Sequence, residues 1–173
     1  AGIAWVRVRG AGVQTVAVNV PSVAPASNTV SIGGAYDIDA AFYRSGAGGE
    51  QRLRADSRIA PGDELFLAVQ VSVPVHLYVV NEDEQGVALL EFPLAGQRLT
   101  NPLPAGKRVT IPDAAHWQVT TPGGKEHFIV FASPEPVESL EAAFASLPTP
   151  REGAPILTKL PQLAVEQLRS VGG

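Results

Sequence analysis

The chain has 173 residues, no cysteine, no methionine and a formal charge of −4. Thiol catalysis, disulfides and thiolate metal sites are excluded, and neither a nucleic-acid surface nor an anionic-membrane surface is expected. Charged residues are 17% of the chain, while 17 Gly and 15 Pro punctuate it, so short apolar runs between turn formers predict an all-β fold whose core needs no staple.

The opening AGIAWVRVRG reads in two ways. Val6 and Val8 alternate with Arg7 and Arg9, as in a first strand; alternatively, Trp5 marks the interface end of a membrane helix. No run approaches the roughly 20 apolar residues that span a bilayer. The missing initiator suggests a processed chain or a piece of a longer one, which leaves room for a membrane tether upstream of residue 1.

VQTVAVNV (13–20) is strand-like and ends at Pro21, which has no N–H to give a ladder. Residues 21–29 read as a loop. In YDIDAAFYR (36–44), Ile38, Ala40 and Phe42 share one face and Asp37 and Asp39 the other. SGAGGE (45–50) is a turn, and 50–59 reads as a short edge strand. After the Pro61-Gly62-Asp63 turn, ELFLAVQVS puts Leu65, Leu67, Val69 and Val71 on one face and Phe66, Ala68 and Gln70 on the other. VHLYVV and GVALLEF pair back on each other. Residues 94–106 form a Pro/Gly/Asn loop; KRVTIP (107–112), WQVTT (117–121) and HFIVFAS (127–133) are further strands, with a tight turn over 121–126.

The period then changes. Val137, Leu140, Phe144 and Leu147 recur at spacings of three and four, which predicts a helix over 133–148. Ser133 is its expected N-cap, with Pro134 at the first helical position and Glu135 and Glu138 at its positive end. Pro148 and Pro150 stop it. A linker leads to a second amphipathic helix, about 160–171, with Leu160, Leu163, Leu168 and Val171 on its stripe.

Asn81-Glu82-Asp83-Glu84-Gln85-Gly86 places oxygen ligands at alternate positions before a Gly, as a calcium loop does. The bidentate Glu such a loop needs would fall at Phe92, and strands flank it instead of helices. The sequence favours a polar hairpin tip in which Gly86 supplies a positive φ. His76, His116 and His127 lack the close spacing of a zinc helix. Asp37 and Asp39 could act as a carboxylate pair, but an exposed polar sheet face explains them. Arg52, Arg54 and Arg58 form a candidate anion or partner stripe; a charged edge strand is the competing explanation. There is no Gly-x-Ser-x-Gly elbow and no Gly-rich loop between a strand and a helix.

The features over residues 59–144 together resemble the bacterial domain of unknown function 4384. They are the Pro61-Gly62-Asp63 turn, the aromatic strand running into an acidic turn and Gly86, and the Phe92-Pro93 end. Asn101-Pro102, Ala105-Gly106, Ile111-Pro112 and a last strand leading to Ser133-Pro134 and a helix complete the pattern. The resemblance implies a β-sandwich with a terminal helix. It also implies a non-catalytic module attached to bacterial kinases, caspase-like peptidases or envelope proteins. It supplies no catalytic residues and does not reach residues 1–58 or 149–173.

The expected architecture is a mainly β, immunoglobulin-like sandwich with one or two C-terminal amphipathic helices, the first on the sandwich's edge or end. Residues 1–58 are expected to complete the sandwich, 59–147 to form its core with the closing helix, and 148–173 to be linker and helix. The expected function is a non-catalytic accessory module that binds another protein or positions a fused effector domain, with no nucleic acid, cofactor or metal. Its setting is expected to be periplasmic or extracytoplasmic, with the cytoplasm as the alternative. Asn81, Glu82, Asp83, Glu84, Arg98, Asn101 and Lys125 are the candidate interaction residues, because sandwiches bind through loops held by rigid strands. A hydrolase using carboxylates and a His, or a sensor for a metal or small ligand, is the alternative.

Overall fold

The computed structural model describes residues 14–17, 29–32, 36–54, 57–83, 85–94, 97–113, 115–119, 126–147, 159–162, 164 and 166. The readings of the opening, the 21–28 loop, the 121–125 turn with Lys125, the 148–158 linker and Glu84 lie outside these residues. Over these residues the structure is mainly β, with two antiparallel sheets and one short continuous helix in a sandwich-like arrangement.

One sheet has the order β1-β10-β6-β7, from Gln14–Ala17, Glu126–Ser133, His76–Asp83 and Ala88–Phe92. The other has the order β2-β3-β5-β8, from Thr29–Ile32, Tyr36–Gly46, Glu64–Val71 and Val109–Ile111. In addition, β4 (Gly49–Arg52) pairs with β3, and β9 (Trp117–Gln118) pairs with β5. The edge strand expected within 50–59 is β4. Thr29–Ile32 begins at the last residue of the expected 21–29 loop and runs into residues given no element; its β-branched residues pair with β3, Val30 opposite Ile38.

The faces follow the alternation in sequence. Ile38, Ala40 and Phe42 meet Leu65, Leu67 and Val69 from their own sheet and Leu77, Val79, Phe128 and Val130 from the facing one in a single core. Phe42 and Phe128 hold the layers together, their ring centroids 4.6 Å apart. Asp37 and Asp39 are exposed, as the period predicts. In β5 the second face is also covered: Phe66 and Ala68 are buried, and the rings of Tyr43 and His116 stack against Phe66.

The helix differs from expectation at its start. Helix α1 spans Glu138–Ala145 with Val137 as N-cap, and no side chain caps it. Ser133 is instead the last residue of β10 and is buried. Pro136 disfavours helical backbone at Glu135, which delays the first turn. The apolar stripe is placed as the spacing predicts. Leu140 and Phe144 are buried, with Val137 and Leu147 beside them, against Tyr78, Val80, Leu90 and Phe131. These sheet residues face away from the inter-sheet core, so the helix covers the outer face of the four-stranded sheet. That corrects its expected place on the sandwich's edge or end. Of the second helix, Gln162, Ala164 and Glu166 are helical. Just before it, the Leu160 N–H donates to the Ala88 carbonyl at 2.8 Å, along the edge of β7.

Candidate functional site

The six-stranded sheet has an irregular border, and the border makes a cleft. β5 is partnered twice on one side: Thr110 of β8 lies opposite Ala68, and Gln118 of β9 lies opposite Glu64. Between them the chain leaves the ladder at Pro112, which cannot donate a ladder hydrogen bond, and rejoins at Trp117. Val109 and Ile111 are buried while Thr110 points outward. Trp117 turns inward, 6.0 Å from Phe42 and 5.6 Å from Phe128 between centroids. The excursion thus bounds an open cleft of about 600 Å³ lined by Glu64, Thr110, Pro112, Asp113, His116 and Gln118, with Ala115 at its lip.

His116 is fixed from two directions. Its ring stacks on Phe66 at 5.1 Å between centroids with 23° between planes, and Nδ1 lies 3.2 Å from Glu64 Oε2. In the tautomer that makes this hydrogen bond, Nδ1 donates to the carboxylate and Nε2 is left as an acceptor. Phe66 in turn stacks on Tyr43 at 5.3 Å, and the Arg108 guanidinium sits 5.3 Å above the Tyr43 ring. Four side chains therefore form a continuous ladder across the outer face of the sheet.

The turn before β5 anchors the same corner. Asp63 accepts from the Ala60 N–H at 2.9 Å and from Arg44 Nη1 at 3.1 Å. The Ala60 hydrogen bond does most to hold its carboxyl below the usual carboxylate range; burial opposes it, and the Arg44 guanidinium adds to it. Gly62 turns here with φ +92°, a left-handed conformation open to Gly at little cost.

A second polar cluster lies on the opposite side of the sandwich, beneath α1. The Tyr78 hydroxyl donates to Glu141 Oε1 at 2.7 Å and accepts from the Val137 N–H at 3.2 Å. It thereby satisfies one of the helix's orphan donors in place of a side-chain cap. Burial, then the Glu141 hydrogen bond, pushes the Tyr78 pKa up. His76 Nδ1 is 3.9 Å from the same carboxylate oxygen and has no hydrogen-bond partner.

The sequence-predicted residues scatter over this frame. Asn81, Glu82 and Asp83 belong to β6, so the strand runs three residues into the stretch expected to be loop. Glu82 is only 8% exposed. The tip of the hairpin is shorter than expected, and Gly86 has φ +78°, as a polar hairpin turn requires. Arg98 is exposed on the connection after β7. Asn101 is half-buried, and its Oδ1 accepts from the Leu77 N–H at 2.8 Å; it serves the fold of that connection. Arg52, Arg54 and Arg58 are all exposed, and Arg52 lies 3.9 Å from Asp39. His76 and His116 stand on opposite outer faces and do not converge. The sequence reading missed Glu64, Thr110, Asp113 and Gln118. Glu64 and His116 are 52 positions apart, and the one available sign was a five-residue gap between two short strands that resume on the same partner.

Residues 58–136 match the family described as Domain of unknown function (DUF4384). The chain therefore carries a DUF4384 domain over this span, from just before β5 to just before α1. Strands β1 to β4 lie upstream of the match, yet β3 pairs with β5 and β1 with β10 inside it. No curated protein and no solved structure matches the chain.

Proposed function

We propose that this chain, a carrier of the DUF4384 domain, is a non-catalytic accessory module of a bacterial protein that binds a partner polypeptide at the cleft between β8 and β9. The observation that supports this reading is the locked side chain at the cleft wall. His116 is held by a ring stack and a carboxylate on a rigid sheet, and preorganised groups of that kind lower the entropic cost of recognition. We further propose an immunoglobulin-like layout. The orders β3-β5-β8 and β1-β10-β6-β7 correspond to strands A-B-E and G-F-C-C′ of that fold, with the N-terminal strand in the place of G.

Substitution of Ala115, at the lip of the cleft, tests the site without changing its charge. Peptides selected from a random display library on the wild-type protein should lose at least about tenfold in affinity for Ala115→Trp. Failure to enrich any peptide, or equal binding to both proteins, overturns the reading.

The His116–Glu64 pair favours one competing function, a hydrolase in which the carboxylate orients His116 as general base. Turnover of p-nitrophenyl acetate that disappears in His116→Asn would establish it against the binding module.

A further inference from the structure

We infer that the cleft receives the guanidinium of an arginine side chain carried by the partner, an inference that rests on the binding reading above. Glu64 and Asp113 place two carboxylates in the cleft, and Thr110 and Gln118 add neutral oxygen acceptors. Among the described residues, no Lys or Arg lines it. In the neutral tautomer whose Nδ1 donates to Glu64, His116 Nε2 is a further acceptor. A group that only donates suits such a wall, and guanidinium carries five N–H donors and no acceptor.

The spacing of these groups selects the kind of cation. Among the described residues, no three His, Asp or Glu side chains are placed to enclose a metal ion. The acceptors instead spread along the cleft from the position opposite Ala68 to the position opposite Glu64. At roughly 3.3 Å per strand residue that row is about 13 Å long, so one guanidinium engages only part of it, where its forked donors can reach acceptors on more than one side chain. The imidazole adds a second preference, because guanidinium stacks on aromatic rings. His116 has one ring face against Phe66 and keeps 36% of its side chain exposed.

The sheet border selects a polypeptide as the carrier. Among the described residues, β8 and β9 pair only with β5, so the cleft opens at the edge of a sheet. An extended chain can run past that edge and turn one side chain in, with backbone and neighbouring residues contacting the border.

Titration of the nitrogen-15-labelled protein with the blocked peptide Gly-Gly-Arg-Gly-Gly tests this, with Gln and Glu peptides of the same length alongside. The Arg peptide should shift the amide resonances of Thr110, Asp113 and Gln118, and the Gln and Glu peptides should not. Asp113→Asn should weaken the Arg peptide by about tenfold. Asp37→Asn, on the same outer face but away from the cleft, should leave it unchanged. Spectra of both variants must keep the wild-type dispersion; a collapse confined to Asp113→Asn moves that arm to Glu64→Gln, with the same expected loss. Equal weakening by Asp37→Asn means general charge attraction and overturns the inference. Cleft shifts caused by the Gln or Glu peptide instead of the Arg peptide also overturn it, while leaving the binding reading intact. No shift with any of the three peptides overturns it as well, and the display selection then decides the binding reading separately.

Discussion

Asp63 shows how one side chain sets a corner of the molecule. It closes the turn through the Ala60 N–H and ties in Arg44 from β3, and so fixes the chain immediately before Glu64. Its carboxyl is held below the ordinary carboxylate range, which gives the sign of its pH dependence. The contribution is fully present above the ordinary Asp value of about 3.9 and is lost as pH falls through the lower folded value. Asp63→Asn should therefore destabilise the protein by about 1–2 kcal/mol at pH 7. In urea unfolding the gap between variant and wild type should close as the pH is taken toward 2. A gap that stays constant with pH would show that the charge contributes nothing. The Pro61-Gly62-Asp63 turn is plain in the sequence, but Arg44 as its partner is not, because that contact depends on the pairing of β3 with β5.

At the scale of elements, helix α1 depends on packing more than on its own ends. It spans only Glu138–Ala145 and has no side-chain cap, and helices this short are marginal in water alone. Leu140 and Phe144 on the outer face of the four-stranded sheet, with the Tyr78 hydroxyl at the first turn, hold it in place. Leu140→Ala should cost about 2–4 kcal/mol. Hydrogen exchange should show α1 amides losing protection well before those of β5 and β6. Equal loss in all three elements would mean that helix and sandwich unfold as one unit. The stripe was legible because Val137, Leu140, Phe144 and Leu147 keep a helical period. The start was not, because Ser133 has the chemistry of an N-cap while its backbone is committed to the ladder opposite His76.

At the scale of the molecule, the alternation in β3 and β5 assigns the inter-sheet core from sequence alone, since one register satisfies both strands. The sequence does not show that the sandwich has a third layer on one side and an open, charged face on the other. β5 hints at it: Phe66 and Ala68 are apolar on the face turned away from the core, and Phe66 is only 2% exposed beneath Tyr43 and His116. The cleft was illegible because its residues come from a strand start, a strand centre and a loop, with no shared motif. The acidic hairpin drew attention by composition, yet Asn81–Asp83 continue the sheet.

On the proposed reading the two outer faces divide the work: α1 covers one, and the other is the face offered to a partner. Hydrogen–deuterium exchange of the protein with and without its best display-selected peptide tests this division most directly. The account predicts slowed exchange over residues 110–118 and at the start of β5, with α1 unchanged. Slowing confined to the β6–β7 hairpin tip, or to α1, would contradict it.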